Sequence, residues 1–473
     1  MPSLHDKSAH ELLDLIRSKQ ISPVEIVEET IKRIEAVNPD INAFVSLRAD
    51  QALEEAKNLT ARITAGEDIG PLAGIPIGVK DLENVKGMAT TFGSPIFKEN
   101  IAQEDAIHID RLKAADAIII GKTNTPEFGY TFFTKNRVYG VTRNPWNLER
   151  TPGGSSGGSA AAIVGGMVAI ATGSDSGGSI RAPAAYTGCY GLKTSFGRIP
   201  LVKFPGPQTL LRIHPISVLG PLTGSVKDAA IFLDCVAGYH PGDPLSLPPP
   251  AQSYSACLDQ LPSGLKIAFS PTLGYARVHS DVMKQVETAT KCFEALGHNV
   301  ELWEETLPDV SDAWIASLNC DFYAQMHQVF ERNRQDVARG LGQILEQTRS
   351  FALKDQIDAQ KAKTELNRIL WKLFDRFDLL VTPTMPTEAF AAKGPPPAEI
   401  EGHPISILGS AAFNYPFNFS GHPAASVPAG LTKNGLPVGM QIVGPRHRDD
   451  LVLQASYSYE QARPWKDGWP KIS

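Results

Sequence analysis

Two clusters of serine and glycine carry the residue types that an acyl-transfer site requires. They occupy residues 151–159 (TPGGSSGGS) and 173–181 (GSDSGGSIR), and a Gly-Val-Lys-Asp sequence lies upstream at residues 78–81. A hydroxyl nucleophile needs a nearby base, and the developing oxyanion needs backbone N–H groups that point at it. Glycine leaves such N–H groups accessible because it has no Cβ. The clusters therefore predict acyl transfer at a serine.

The residues around the clusters argue against a flexible Gly/Ser linker. Residues 160–171 are apolar throughout (AAAIVGGMVAIA), which predicts a buried helix that holds both clusters against a core. Residues 72–79 (LAGIPIGV) predict a buried strand that leads into Lys80. A phosphate-binding P-loop is disfavoured, because neither cluster ends in Gly-Lys followed by Ser or Thr.

These motifs and their spacing resemble those of the amidase signature family. Lys80 and Ser155 are 75 positions apart, and Ser155 and Ser179 are 24 positions apart; both separations agree with the family pattern. Weaker similarities extend the resemblance over nearly the whole chain, at residues 22–25, 123–128, 144–147, 382–384 and 435–439.

The resemblance implies roles for three residues. Ser179 would be the nucleophile, Ser155 a bridging serine that follows a cis peptide bond, and Lys80 the base that begins the proton relay. The implied activity is that of an amidase, which hydrolyses linear amides through an acyl-enzyme and needs no cofactor. The implied fold is α/β, with a central mixed β-sheet covered by helices on both faces.

One domain is expected to span residues 1–473, because motifs near the start, middle and end must converge on one site. Four regions are expected within it. They are an outer helical layer (1–60), the signature core (70–200), a variable substrate-side region (200–375) and the C-terminal part of the core (376–473).

Lys80 can act as a base only when it is neutral. Most lysines are solvated surface residues, but the apolar segment before Lys80 and the family spacing favour a catalytic role. The pKa of Lys80 would have to fall from ~10.4 toward ~7 to 8, which requires near-complete burial.

The loop before Ser179 is expected to hold the oxyanion. Main-chain N–H groups of Ser176, Gly177 and Gly178 should point at the developing negative charge. These donors belong to the backbone, so the site depends on the shape of the loop more than on its side chains.

A short helix is predicted directly after the nucleophile. It covers residues 180–186, with Ser179 as its N-terminal cap and Gly188 near its end. Asp175 and Arg181 are close enough in sequence to pair across the loop, and we interpret them as structural support.

A nucleophile elbow of an α/β-hydrolase esterase is one alternative. Residues 153–157 (GGSSG) satisfy Gly-x-Ser-x-Gly, which would make Ser155 the nucleophile and draw on His422 or His447. An elbow follows a buried strand, whereas residues 144–150 (NPWNLER) are polar and turn-like. This context disfavours the elbow.

A second alternative is the A subunit of a glutamyl-tRNA amidotransferase, which belongs to the same family and releases ammonia from glutamine. Residues 214–219 (HPISVL) lack the Ser-x-Asp-Gln type of sequence common in those subunits, and residues 414–423 (NYPFNFSGHP) show no acidic anchor for glutamine. The latter segment, aromatic and apolar, suits a hydrophobic amide better. A binding protein with an inactive site is a third alternative. It is disfavoured because all three catalytic residue types of the family are present, at Lys80, Ser155 and Ser179.

Composition excludes further classes. The formal net charge of −6, without runs of Lys or Arg, disfavours nucleic acid and anionic membranes as partners. Five cysteines without Cys-x-x-Cys spacing predict free thiols in a reducing compartment, and the histidines form no metal-like cluster. No export signal or bilayer-length apolar run is evident, which predicts a cytoplasmic protein. A monomer and a homodimer both stay open.

Periodicity outlines several other elements. Ser22, Pro23 and Glu25 predict a capping box at a helix start. The remaining elements are a strand–helix–strand unit over residues 265–303, a long helix over 353–374 and a strand at 379–381.

Aromatic side chains are the candidates for the wall of the acyl pocket. An aromatic wall favours an aryl or long acyl amide over acetamide or urea. The candidates are Phe132, Phe133, Trp314 and Phe322.

Overall fold

The computed structural model describes residues 4–201 and 216–472, and it contains fifteen strands within those ranges. The strands are β1 Phe44–Leu47, β2 Pro76–Lys80, β3 Ile118–Thr123, β4 Lys135–Asn136, β5 Gly140–Val141, β6 Ile170–Asp175, β7 Tyr190–Lys193, β8 Val218–Thr223, β9 Lys266–Phe269, β10 Asn299–Leu302, β11 Leu379–Pro383, β12 Glu399–Ile400, β13 His403–Pro404, β14 Ala424–Leu431 and β15 Pro437–Val443.

Thirteen α-helices lie in the same two ranges. They are α1 Ala9–Arg17, α2 Pro23–Ile41, α3 Ala49–Ala65, α4 Ile107–Ala114, α5 Gly157–Val164, α6 Arg181–Thr187, α7 Val226–Val236, α8 Ser280–Ala295, α9 Ser311–Arg332, α10 Arg339–Thr348, α11 Leu353–Arg376, α12 Tyr415–Phe419 and α13 Asp449–Ala462.

One mixed sheet joins eleven of the strands, in the order β1-β3-β2-β6-β8-β7-β14-β15-β11-β9-β10. Strands β3, β2 and β6 run parallel, as do β11, β9 and β10, whereas the strands between these two groups pair antiparallel. β1 pairs antiparallel with β3 at one edge, so the first sixty residues contribute a strand as well as the predicted helices.

Helices cover both faces of this sheet, as strand β3 shows. Successive side chains of a strand point to opposite faces. Ile119 packs into a core that includes α1, α4, α7, α8 and α13. Ile118 and Ile120 pack into a second core that includes α2, α3 and α5. The predicted α/β architecture with helices on both faces is therefore confirmed.

The sequence predicted one helix over the apolar run 160–171, and that prediction is wrong for the second half of the run. Helix α5 ends at Val164, and strand β6 begins at Ile170. Gly165 and Gly166 separate the two elements, and Gly166 has φ +68°, a conformation that terminates a right-handed helix. A fully buried strand is as apolar as a buried helix, so hydrophobicity alone did not distinguish them.

Other predicted elements are present. The capping box at Ser22 is formed, and β9, α8 and β10 form a parallel strand–helix–strand unit. α11 and β11 match the predicted helix and strand. All five cysteines are free thiols. Within residues 4–201 and 216–472, every helix is too short or too polar to cross a bilayer.

Candidate active site

Lys80 ends strand β2 and is fully buried. Its Nζ donates hydrogen bonds to Ser155 Oγ at 2.8 Å, to Ser156 Oγ at 2.8 Å and to Ser174 Oγ at 3.0 Å. The parallel pairing of β2 with β6 sets the end of β2 beside Ser174, near the end of β6, and beside the serine-rich loop that follows. The fold therefore joins Lys80 and Ser155, as the sequence predicted, and adds Ser156, to which the sequence assigned no role.

Ser155 lies just before the first turn of helix α5, and the Gly154–Ser155 peptide bond is cis. This is the cis bond that the family resemblance implies. The N–H of the next residue, Ser156, donates to the carbonyl oxygen of Ser179 at 3.0 Å. The two serine clusters are thus joined at their backbones, next to the lysine.

Ser179 lies on the wall of a cavity, two residues before the start of helix α6. The N-cap of α6 is Ile180 and not Ser179, so the predicted capping role of Ser179 is wrong. The Asp175 carboxylate accepts the N–H groups of Gly178 and Ile180 instead, at 2.7 Å and 3.0 Å. Because that carboxylate satisfies the start of the helix, Ser179 is not needed as a cap.

The hydrogen bond from the Gly178 N–H to Asp175 also bears on the predicted oxyanion loop. Ser176 and Gly177 line the cavity beside Ser179, whereas the N–H of Gly178 is already bound to Asp175. The oxyanion role of Gly178 stays a prediction, and in this structure its N–H is engaged by Asp175.

Asp175 and Arg181 form the predicted pair, with Nη2 and Oδ1 2.9 Å apart and both side chains fully buried. Arg181 also donates to Gln441 Oε1 at 2.6 Å and to Asn418 Oδ1 at 2.6 Å. Burial alone would raise the pKa of Asp175, but the charge and hydrogen bonds of Arg181 hold it well below its usual range. The pair ties the loop before Ser179 to β15 and α12.

Asp175→Asn should lower the free energy of unfolding by about 3–5 kcal/mol at neutral pH, because it leaves the Arg181 charge buried without its partner. The folded pKa of Asp175 lies below the unfolded value. Its stabilisation is therefore complete above pH ~4 and is lost as the pH falls through the folded pKa. Urea unfolding midpoints of wild type and variant should differ at pH 7 and converge in acid.

A matched control for this measurement is Asp116→Asn. Asp116 pairs with Arg62 at 2.7 Å, but both side chains are partly exposed, and exposed pairs contribute little to stability. Equal midpoint losses in the two variants at pH 7 would contradict the proposed support role of Asp175.

The cavity in front of Ser179 has a volume of about 220 Å³ and a largely apolar wall with several aromatic side chains. Three of the four predicted aromatic residues line it. These are Phe132, Trp314 and Phe322. Trp314 Nε1 donates to the carbonyl oxygen of Ser176 at 2.8 Å, and a Cβ on Gly177 would lie 2.3 Å from its ring. Only glycine at position 177 allows this contact.

Phe133 is the predicted wall residue that does not line the cavity. Its ring packs edge-on against Phe390, with centroids 6.2 Å apart, beside Gly394. The segment 414–423, which the sequence linked to a hydrophobic amide, likewise contributes no residue to the cavity wall in the described part of the chain. Helix α12 is buried in the core around α9 and α11. The segment 214–219, whose sequence differs from that common in amidotransferase A subunits, is described only in part: residues 214–215 lie outside the described residues.

Sequence reasoning missed two further groups of wall residues. One comprises Phe92, Phe97, Phe128 and Tyr130. The other is a polar pair, Glu83 and His108, whose side chains are 2.9 Å apart. Glu83 could have been suspected from the sequence, because it is a charged residue only three positions after Lys80. His108 carried none, because it lies among the residues of an ordinary helix.

The nucleophile elbow is wrong. Residues 144–154 contain isolated bridges but no strand that leads into Ser155. His422 is buried and stacks on Phe374, with centroids 5.1 Å apart. Neither His422 nor His447 belongs to the described wall of the cavity.

A model of the amidase family matches residues 25–453 of the chain. The chain belongs to the amidase signature family. An acylamidase from Rhodococcus erythropolis is 37% identical over 476 residues, which cover 100% of this chain and 98% of that protein. The crystal structure of a bacterial aryl acylamidase superimposes with a TM-score of 0.92 at 35% identity, covering 99% of this chain and 98% of the other.

The amidotransferase subunits are relatives as well. The A subunit of the glutamyl-tRNA(Gln) amidotransferase from Geotalea daltonii is 35% identical over 489 residues, which cover 98% of each chain. The predicted membership of the amidase signature family and the prediction of an amide hydrolase are confirmed. Which amide this family member cleaves depends on the cavity.

Proposed function

We propose that the protein hydrolyses aryl or hydrophobic carboxylic amides through an acyl-enzyme on Ser179. The observation that carries the proposal is the 2.8 Å contact between Lys80 Nζ and Ser155 Oγ, next to a serine on the wall of an aromatic cavity. A buried lysine held by hydroxyl groups and a nearby serine that faces a cavity form a nucleophile with a proton path.

Acylation requires one proton transfer and one attack. The Ser179 Oγ attacks the amide carbonyl carbon, and its proton passes through the Ser155 hydroxyl to neutral Lys80. The negative charge that develops on the carbonyl oxygen faces the backbone of Ser176 and Gly177. When the C–N bond breaks, the proton returns through Ser155 to the leaving amine.

Deacylation repeats these steps with water. Water attacks the acyl carbon and gives its proton to Lys80 through Ser155, and Ser179 regains that proton as it leaves. The products are a carboxylic acid and an amine, and the enzyme is restored.

The size and chemistry of the cavity support an aryl substrate. An apolar protein cavity of about 150 Å³ holds benzene, so a cavity of about 220 Å³ accommodates a ring with a small substituent. The stacked and edge-on rings of Phe92, Phe97, Phe128 and Phe322 give it aromatic walls. The acylamidase relatives agree with this class.

Glutamine hydrolysis, as in the amidotransferase A subunits, is the second candidate because those subunits are 35% identical to this chain. Free glutamine carries a carboxylate that a binding site would pair with a cation. Among residues 4–201 and 216–472, the cavity wall contains two carboxylates, Glu83 and Asp321, and no lysine or arginine. The two carboxylates could accept the α-ammonium group of glutamine, but the lack of a cation for its carboxylate favours the hydrophobic amide.

A comparison of kcat/KM for phenylacetamide, acetamide and L-glutamine tests the proposal. Burial of a ring in the cavity contributes about 1.5–3 kcal/mol, so phenylacetamide should exceed acetamide by about 10- to 150-fold. Glutamine should be the poorest of the three. A preference for glutamine, or for acetamide over phenylacetamide, would overturn the proposed substrate class.

A further inference from the structure

A buried pair of a carboxylate and an imidazole, Glu83 and His108, forms one polar part of the cavity wall. Glu83 lies three residues beyond the end of β2, and His108 lies in the first turn of α4. His108 Nε2 and Glu83 Oε2 are 2.9 Å apart, and the two side chains are only 2% and 4% exposed. Both residues line the cavity that contains Ser179.

The second carboxylate oxygen of Glu83 is open. Oε1 is buried and has no hydrogen bond within the described part of the chain. Burial alone would raise the pKa of Glu83, but the hydrogen bond and charge of His108, with smaller contributions from Thr172 and Lys80, hold it below its usual range. An ionised oxygen buried without a donor is unfavourable, which identifies a position where a ligand donor would be stabilised.

A buried cation beside Glu83, Lys122, is already engaged elsewhere. Its Nζ donates to the backbone carbonyl of Glu83 and to Thr90 Oγ1 at 3.1 Å, and it lies 3.6 Å from the Asp81 carboxylate. Asp81 therefore shares the charge of Lys122. Glu83 lines a cavity in which, among the described wall residues, no lysine or arginine competes for its carboxylate.

We propose that Glu83, held in place by His108, determines substrate specificity by accepting a hydrogen bond from an O–H or N–H group on the ring that occupies the cavity. The inference rests on the proposed function and narrows its substrates to aryl amides that carry a hydroxyl or amino group. A charge-assisted hydrogen bond at a buried site should favour such a substrate by about 10- to 100-fold over one that lacks the donor.

Matched substrates test this specificity in the wild-type enzyme. One pair carries the ring on the acyl side, 4-hydroxyphenylacetamide and 4-methylphenylacetamide, and the other carries it on the amine side, 4-hydroxyacetanilide and 4-methylacetanilide. The hydroxyl and methyl groups are similar in size, so the ratio of kcat/KM within a pair isolates the donor. At least one pair should show a ratio of about 10 or more.

Glu83→Gln should bring that ratio to within about threefold of one, because a neutral acceptor binds the hydroxyl more weakly. Asp321→Asn is the matched control: Asp321 is a second carboxylate on the wall, contributed by α9, and its variant should keep the wild-type ratio. His108→Asn should reduce the ratio as well, since the carboxylate loses its support, and it replaces Glu83→Gln as the test if the latter does not fold.

The outcomes separate this inference from the proposed function. If the methyl compound of each pair is hydrolysed as fast as its hydroxyl analogue or faster, neither pair shows a preference for the donor. That result would overturn the role of Glu83 while leaving the amidase activity intact. A preference that survives in Glu83→Gln would also overturn it. Failure to hydrolyse any of the four aryl amides would instead contradict the proposed function.

Discussion

Ser179→Ala should lose about 10⁴- to 10⁶-fold in kcat on an aryl amide, because removal of a catalytic serine leaves only the contributions of binding and the oxyanion site. Phenylmethylsulfonyl fluoride should add one adduct to the wild-type protein, and peptide mapping should place it on Ser179. The variant should show no adduct in intact-mass spectrometry. The structure supports this expectation because Ser179 lies on the cavity wall beside the lysine and serine network.

Three other serines provide matched controls. Ser176→Ala changes a hydroxyl on the same cavity wall, which contacts Ser217 Oγ at 2.6 Å, and it should keep the adduct. Ser155→Ala should lose most of the turnover, but phenylmethylsulfonyl fluoride should still modify a part of the protein, since Ser179 remains. Ser156→Ala should be milder than Ser155→Ala if only Ser155 relays the proton. An adduct on Ser155 in the wild type would contradict the assignment of Ser179.

The sequence was most informative where short motifs end regular elements. Lys80 ends an apolar strand, and Ser155 and Ser179 each lie two residues before a helix. Such positions need only local patterns and spacing to predict. The approach of Lys80 to Ser155 across 75 residues came from the family resemblance and not from the residues alone.

The sequence was least informative where tertiary packing decides. Phe132 and Phe133 are adjacent and aromatic, yet one faces the cavity and the other packs against Phe390. Glu83 and His108 are 25 positions apart and meet only because the fold brings α4 to the loop that follows β2. Gly178 resembles Gly177 in sequence, but its N–H is held by Asp175. Composition cannot distinguish such neighbours, because their orientation follows from contacts with distant segments.

Lys80→Met should reduce kcat/KM by about 10²- to 10⁴-fold, the usual contribution of a positioned base. Lys80→Arg should be about as inactive, because arginine keeps the positive charge and the donors but cannot release its proton. In the wild type, kcat/KM should rise with pH as Lys80 loses its proton, since only the neutral amine accepts a proton from Ser155. High activity in Lys80→Arg would contradict a role as base.

Lys193→Met is the control that separates this titration from another buried lysine. Burial and the charge of Arg181 lower the pKa of Lys193 to about 7, so Lys193 titrates in the range where the rate is measured. Its Nζ donates to the Thr194 carbonyl at 2.9 Å and, within residues 4–201 and 216–472, makes no hydrogen bond to Ser155 or Ser179. If Lys80 is the base, Lys193→Met should retain both activity and the rising limb of the pH profile. A limb that disappears in Lys193→Met would assign the titration to Lys193, and the case for Lys80 would then depend on the Lys80→Arg result alone.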